Sequence, residues 1–316
     1  MNPSGTAADF GPDEFHETGR ALGHDIFCLT LWPIDPTWHA SVREGFEYAH
    51  ARRFQRHDPD YVTRKWLQLR LNALARSRYV SPLVTREFLA RIEVAECPVL
   101  RIPMTHGELK GTDASIDRLN NDGAYAPGNL AVMSTVANKA KSDRSFEEVH
   151  SLALQTSATG GLEPVQWLRV AALMLGPCFV SCPELAPDLP MPVPIPPGTA
   201  RLPTQQVQCA FASAAGRPAG KNFLIKRFKS ACLDERSLFR LKAFAEITHV
   251  HLKGLECVWD VWLMPAPMEA LLAWRQSLDP RAWAAVGEIS ARLLGGQLLG
   301  RSGLNEWQLA QHGYRR

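Results

Sequence analysis

Paired cysteines are the first thing this chain lacks. Its seven cysteines (Cys28, Cys97, Cys178, Cys182, Cys209, Cys232 and Cys257) are odd in number and scattered over 316 residues. Residues 1–24 are polar, acidic and Gly-rich where a secretory signal would be apolar. A disulfide framework is therefore not expected, and a reducing cytoplasm is the expected compartment. Cys97 has no Cys-x-x-Cys partner, and Cys178 with Cys182 has no second pair nearby. A four-ligand structural zinc is not expected. No apolar run approaches the roughly 18–20 residues needed to span a bilayer, which excludes a membrane partner and leaves a soluble chain. There is no internal repeat, and no dominance of one charge, the net charge being +3.

What the small net charge conceals is its distribution. Residues 1–40 carry one basic residue, Arg20, against six acids. Residues 41–91 reverse this with eleven Lys or Arg against five acids, and residues 204–253 hold nine against three. Such asymmetry suits a polyanion-binding face, and equally a solvated helix surface.

Punctuation divides the chain. Residues 1–35 read as a flexible acidic lead-in. A capping residue followed by proline recurs at Asp35-Pro36, Asp58-Pro59 and Ser81-Pro82, each before apolar residues at helical spacing. The cap accepts a bond from an orphan amide, and proline at the first helical position forfeits nothing. Residues 36–96 are thus expected to form a basic helical segment. From Cys97 short apolar runs alternate with Gly, Pro, Asn and Asp, as in short strands and tight turns. Ser134 can cap a helix over STVANKAKS, and Ser145 with Glu148 forms a capping box. A module is therefore placed at 97–157 and a helix within 158–182. The eight prolines from Pro183 to Pro203 predict a semi-rigid linker and the main boundary. Residues 204–316 read as a mainly helical C-terminal domain. His249-Val-His251 has the alternation of a strand, and with no third ligand it reads as structural. Trp259, Trp262 and Trp274 read as core residues.

The chemistry concentrates in Ser115-Ile116-Asp117-Arg118-Leu119-Asn120-Asn121, followed by Tyr125, Asn129-Leu130, Asn138 and Lys141. Asp117 at the end of one strand and Asn138 in the first turns of a helix could converge on one point. A carboxylate and an amide oxygen suit a hard divalent ion that keeps waters and accepts phosphate. Asn129 in the connecting loop can bond to backbone and brace the turn. Lys141 shares a helix face with Asn138, with Lys139 and Arg144 nearby to meet phosphate. The alternative for Asp117 is a turn-stabilising carboxylate paired with Arg118 or Lys141.

This string resembles the HNH endonucleases of the ββα-metal family, in particular the phage and bacterial variants with an S-[IL]-D-R core followed by N-x-x-K. The resemblance covers about 47 residues, from Cys97 to Asp143. Cys97-Pro98 and Ile102-Pro103 resemble the family's lead-in, with Leu100-Arg101 where the family has Thr-Gly. It implies a mainly α protein carrying a small ββα-metal module between helical N-terminal and C-terminal regions. It also implies phosphodiester hydrolysis in DNA, with Asp117 and Asn138 holding Mg²⁺ or Mn²⁺ and Asn129 bracing the loop. The family places a histidine after the metal-binding aspartate; here Arg118 stands there. A guanidinium stays protonated and cannot act as a general base, though it can contact phosphate with Lys139, Lys141 and Arg144. His106, eleven residues before Asp117, is the nearest candidate base. The alternative reading is a catalytically degenerate HNH-like domain that binds nucleic acid or a protein. A functional C-terminal domain with the central module as scaffold is a third possibility.

Overall fold

The computed structural model describes residues 12–121, 123–178, 189–194 and 203–294. Among these residues the chain is mainly helical, with one two-stranded antiparallel sheet. Its described residues divide into two units, one within residues 12–94 and 116–132, the other within 95–115 and 133–294. The sheet pairs β1 (Ala114–Arg118) with β2 (Leu130–Ser134), so the chain changes unit along both strands.

In the first unit, α1 (Pro12–Leu29) corrects the expectation of a flexible lead-in over residues 1–35 for residues 12–29, residues 1–11 lying outside the described ones. Phe15, Leu22, Ile26 and Leu29 fall on one helical face, and Asp13 and Glu14 oppose the positive end of the helix dipole. Leu22, Ile26 and Phe27 join Val42, Phe46 and Ala49 of α2 (Ala40–Ala51) and Leu67 and Leu74 of α3 (Tyr61–Ala75) in one core. The α1–α2 crossing is made by small residues. A Cβ on Gly23 would overlap the Val42 carbonyl oxygen, and one on Gly45 would overlap the Arg20 carbonyl. Arg56 closes the far end of α1, donating to the carbonyls of Phe27 (3.3 Å), Thr30 (3.1 Å) and Trp32 (2.6 Å). It thereby satisfies oxygens that the helix terminus leaves without internal donors.

The cap-proline pairs mark turns, and the helices begin beyond them. Asp35 accepts from the Thr37 amide at 2.8 Å, while His39 caps α2. Asp60 caps α3, accepting from the Thr63 amide at 2.6 Å. Ser81 accepts from the Leu83 amide at 3.2 Å, and Thr85 caps α4 (Arg86–Ile92). Proline pushes its predecessor toward extended backbone, so a local turn precedes the helix in each case.

In the second unit, Ser134 caps α5 (Thr135–Lys141), and the Ser145–Glu148 capping box opens α6 (Phe146–Ala153). Then come α7 (Pro164–Cys178), α8 (Pro203–Ala214), α9 (Pro218–Phe228), α10 (Glu235–Leu252), α11 (Pro265–Gln276) and α12 (Pro280–Leu293). Phe211, Phe228, Phe244, Trp262 and Trp274 pack ring against ring at its centre. His249 and His251 lie on helix α10, where a strand was expected. Their Nδ1 atoms lie 2.7 Å from the Ala215 carbonyl and 2.8 Å from the Ile247 carbonyl.

The described residues of the stretch expected to be a linker, 189–194 and 203, fall in the second unit. Most of that stretch lies outside the described residues, but Leu189, Met191 and Val193 are buried, and the Pro192 carbonyl accepts from Arg101. Arg101 also forms a two-pronged ion pair with Asp260, and Gln205 donates to the Ala172 carbonyl at 3.1 Å. These long-range bonds tie the segment after Cys97 and the C-terminal helices into one unit.

Candidate functional site

Within the first unit, the loop after β1 is built on Asn129. The residue is fully buried, its Oδ1 accepts from the Asn120 amide (2.7 Å), and its Nδ2 donates to the carbonyls of Asn120 and Ala124 (2.9 Å each). Those are backbone groups that a tight turn leaves without ladder partners, and a primary amide can serve both polarities at once. The Leu119 amide donates to the Asn129 carbonyl at 2.8 Å, which closes the hairpin. Asn129 is a brace of the loop.

Arg118 serves the same loop. Its Nη1 donates to the carbonyls of Asn121 (2.7 Å) and Gly123 (2.9 Å), and its guanidinium lies over the Tyr125 ring at 5.1 Å. Burial is the main cause that pushes its pKa below the usual guanidinium value, with the charge of Arg78 adding to it and Tyr125 and Asp117 opposing it. Even so it remains a cation, so its inability to accept a proton stands. Tyr125 is itself held by backbone bonds, its amide donating to the Tyr79 carbonyl (3.0 Å) and its carbonyl accepting from Ser81 (2.9 Å). Asp117, on β1, is buried to 7% exposure.

Within the second unit, Asn138 lies on α5 and its Nδ2 donates to Ser115 Oγ at 2.7 Å. This fixes which way the amide faces and makes Ser115 the positioning residue for Asn138. Strand alternation puts Ser115 on the same face of β1 as Asp117, two residues on, a signal present in the sequence but not read from it. Cys97 is buried and does more than fill space. Its Sγ accepts from the Ser134 amide (3.2 Å) and the Leu100 amide (3.4 Å), and it lies 3.3 Å from Ser134 Oγ. The cap of α5 is thus tied to the turn that follows Cys97.

The basic residues expected to meet phosphate divide three ways. Lys139 is exposed on α5. Arg144 is half-buried, donating to the Ala140 carbonyl at 2.6 Å with its guanidinium 5.7 Å from the Trp167 ring. Lys141 has no exposed surface at all, so the expectation that it meets phosphate is corrected to an interior cation. Its place at the last turn of a short helix puts positive charge where the helix dipole favours it. His106 is exposed in the turn after Thr105. Among the described residues no three His, Cys, Asp or Glu side chains gather where they could hold a metal. No helix among the described residues is long and apolar enough to cross a membrane.

No protein-family model matches the chain, and neither a curated protein nor a solved structure shows significant similarity to it.

Proposed function

We propose that this chain carries an HNH-like metal-dependent endonuclease module acting on DNA. The observation that carries the reading is the register of Ser115-Ile116-Asp117-Arg118, Asn129 and Asn138-x-x-Lys141 on a strand, loop, strand and helix in that order. The bracing of the loop by Asn129 supports it. Asp117 and Asn138 are the residues this reading gives to a divalent ion, by sequence register and donor chemistry. When bound, the ion would supply positive charge to a phosphate and to the oxygen that leaves as the phosphodiester breaks. Ser115 orients the Asn138 amide, Arg118 and Asn129 hold the loop beside Asp117, and Lys139 offers an exposed cation to phosphate. His106 is the candidate proton acceptor.

The test is nicking of supercoiled plasmid with Mg²⁺ or Mn²⁺. Wild type nicks, Asp117→Ala and Asn138→Ala do not, and His106→Ala slows the reaction. Cleavage that persists in both ligand variants refutes the site.

A second reading is favoured by Arg118, whose engagement with two carbonyls and a ring makes the family's histidine position a structural brace. Here the module is a degenerate HNH-like domain that binds nucleic acid without cutting it. Salt-sensitive binding with no metal-dependent nicking distinguishes this reading from the first.

A further inference from the structure

We propose that the exposed faces of α9 and α10 bind single-stranded nucleic acid through its phosphates and the faces of its bases. Residues 217–242 contain eight Lys or Arg and two acids. One of the acids, Asp234, caps α10, its Oδ1 accepting from the Ser237 amide at 2.7 Å. Lys221 pairs with Glu246 at 2.5 Å and joins the start of α9 to the second half of α10. The helices therefore run side by side, linked by the short turn at Lys229–Ala231. Lys226, Arg227, Lys229, Arg236, Arg240 and Lys242 are all exposed, and none has a carboxylate within 4.0 Å among the described residues. Six exposed cations, none ion-paired among the described residues, are held on one helical hairpin at a cost in mutual repulsion, which a polyanion relieves by displacing condensed counterions.

Aromatic exposure decides which polyanion. Phe223 on α9 and Phe239 on α10 are 43% and 68% exposed among these cations. The Arg227 guanidinium lies 5.1 Å from the Phe223 ring. A duplex offers such rings only sugar and phosphate, since its base faces are stacked inside. A single strand offers base faces as well, which stack on aromatic rings irrespective of sequence. This assignment concerns elements far along the chain from the Asp117 region and stands independently of the nuclease reading.

The experiment measures fluorescence anisotropy of a labelled oligonucleotide of about 20 nucleotides with the full chain in EDTA, so that cleavage cannot contribute. Binding should weaken roughly 20-fold from about 50 to 200 mM salt if three phosphates are neutralised. The pairs Lys226→Glu with Arg227→Glu, and Arg236→Glu with Arg240→Glu, should each weaken it at least tenfold. Phe239→Ala should weaken single-strand binding by roughly 5- to 160-fold and duplex binding little. Circular dichroism of each variant should match wild type, since every substituted side chain is exposed. No binding, full binding by both charge-reversed pairs, or equal effects of Phe239→Ala on both strand forms overturns the proposal. So does concentration-dependent self-association through Phe239 in place of oligonucleotide binding.

Discussion

Replacing Asn129 with alanine should unfold the β1–β2 loop while leaving the helices intact. The substitution deletes three hydrogen bonds at once, from the Asn120 amide and to the Asn120 and Ala124 carbonyls. Each backbone group left without a partner in a buried setting costs about 1–3 kcal/mol. The three share one side chain and will not add fully, so the expected loss is roughly 3–5 kcal/mol. Asn129→Asp sharpens the test. It keeps the acceptor for Asn120 but sets a carboxylate against two carbonyl oxygens, so it should be at least as damaging as alanine. The assay is urea unfolding followed by circular dichroism, alongside amide hydrogen exchange. The Asn120 amide, which donates to the deleted oxygen, should lose protection in the alanine variant, while the α1–α3 amides keep theirs. A stability change within about 0.5 kcal/mol for Asn129→Ala, the range of an ordinary surface substitution, would refute the assignment of Asn129 as a brace.

Three further outcomes follow from the same reasoning. Gly23→Ala or Gly45→Ala should lower stability by about 1–3 kcal/mol or more, because the added methyl meets backbone that cannot move aside as a side chain can; thermal unfolding that matches wild type would exclude the close α1–α2 crossing. Ser134→Ala removes the oxygen that accepts from the Ala137 amide at 3.3 Å and should cost about 1 kcal/mol, read by denaturant midpoint. Asp60 caps α3, and its bond from the Thr63 amide holds its carboxyl below the usual range. A depressed folded pKa contributes stability that is present above the unfolded value, about 3.9, and lost as pH falls through the folded one. Unfolding midpoints measured from pH 6 downward should therefore fall less steeply in Asp60→Asn than in wild type.

Some of the fold was legible because its cause is local. Ser134 and the Ser145–Glu148 box start helices using side chains three residues from the amides they serve, and both helices form there. The apolar periodicity of α11 and α12 likewise needs no knowledge of the partner. The cap-proline pairs failed by two to four residues because proline shapes the turn before a helix as readily as the helix itself. The lead-in was misread because acidic residues dominate its composition, while the spacing of Phe15, Leu22 and Ile26 carries its structure.

Of the candidate site, the sequence by itself determined the residue types and their order: a carboxylate on a strand, an amide in the following loop, and a second amide on the helix. Those depend only on spacing and on what each side chain can donate or accept. Tertiary structure alone decided what each group does with its bonds. Arg118 turns back onto two carbonyls and a ring, Ser115 holds Asn138, and Lys141 lies inside. A long cationic side chain can swing through many angstroms about its rotatable bonds. Whether it faces solvent or seals a loop depends on the surfaces that close around it, and no local pattern encodes those surfaces.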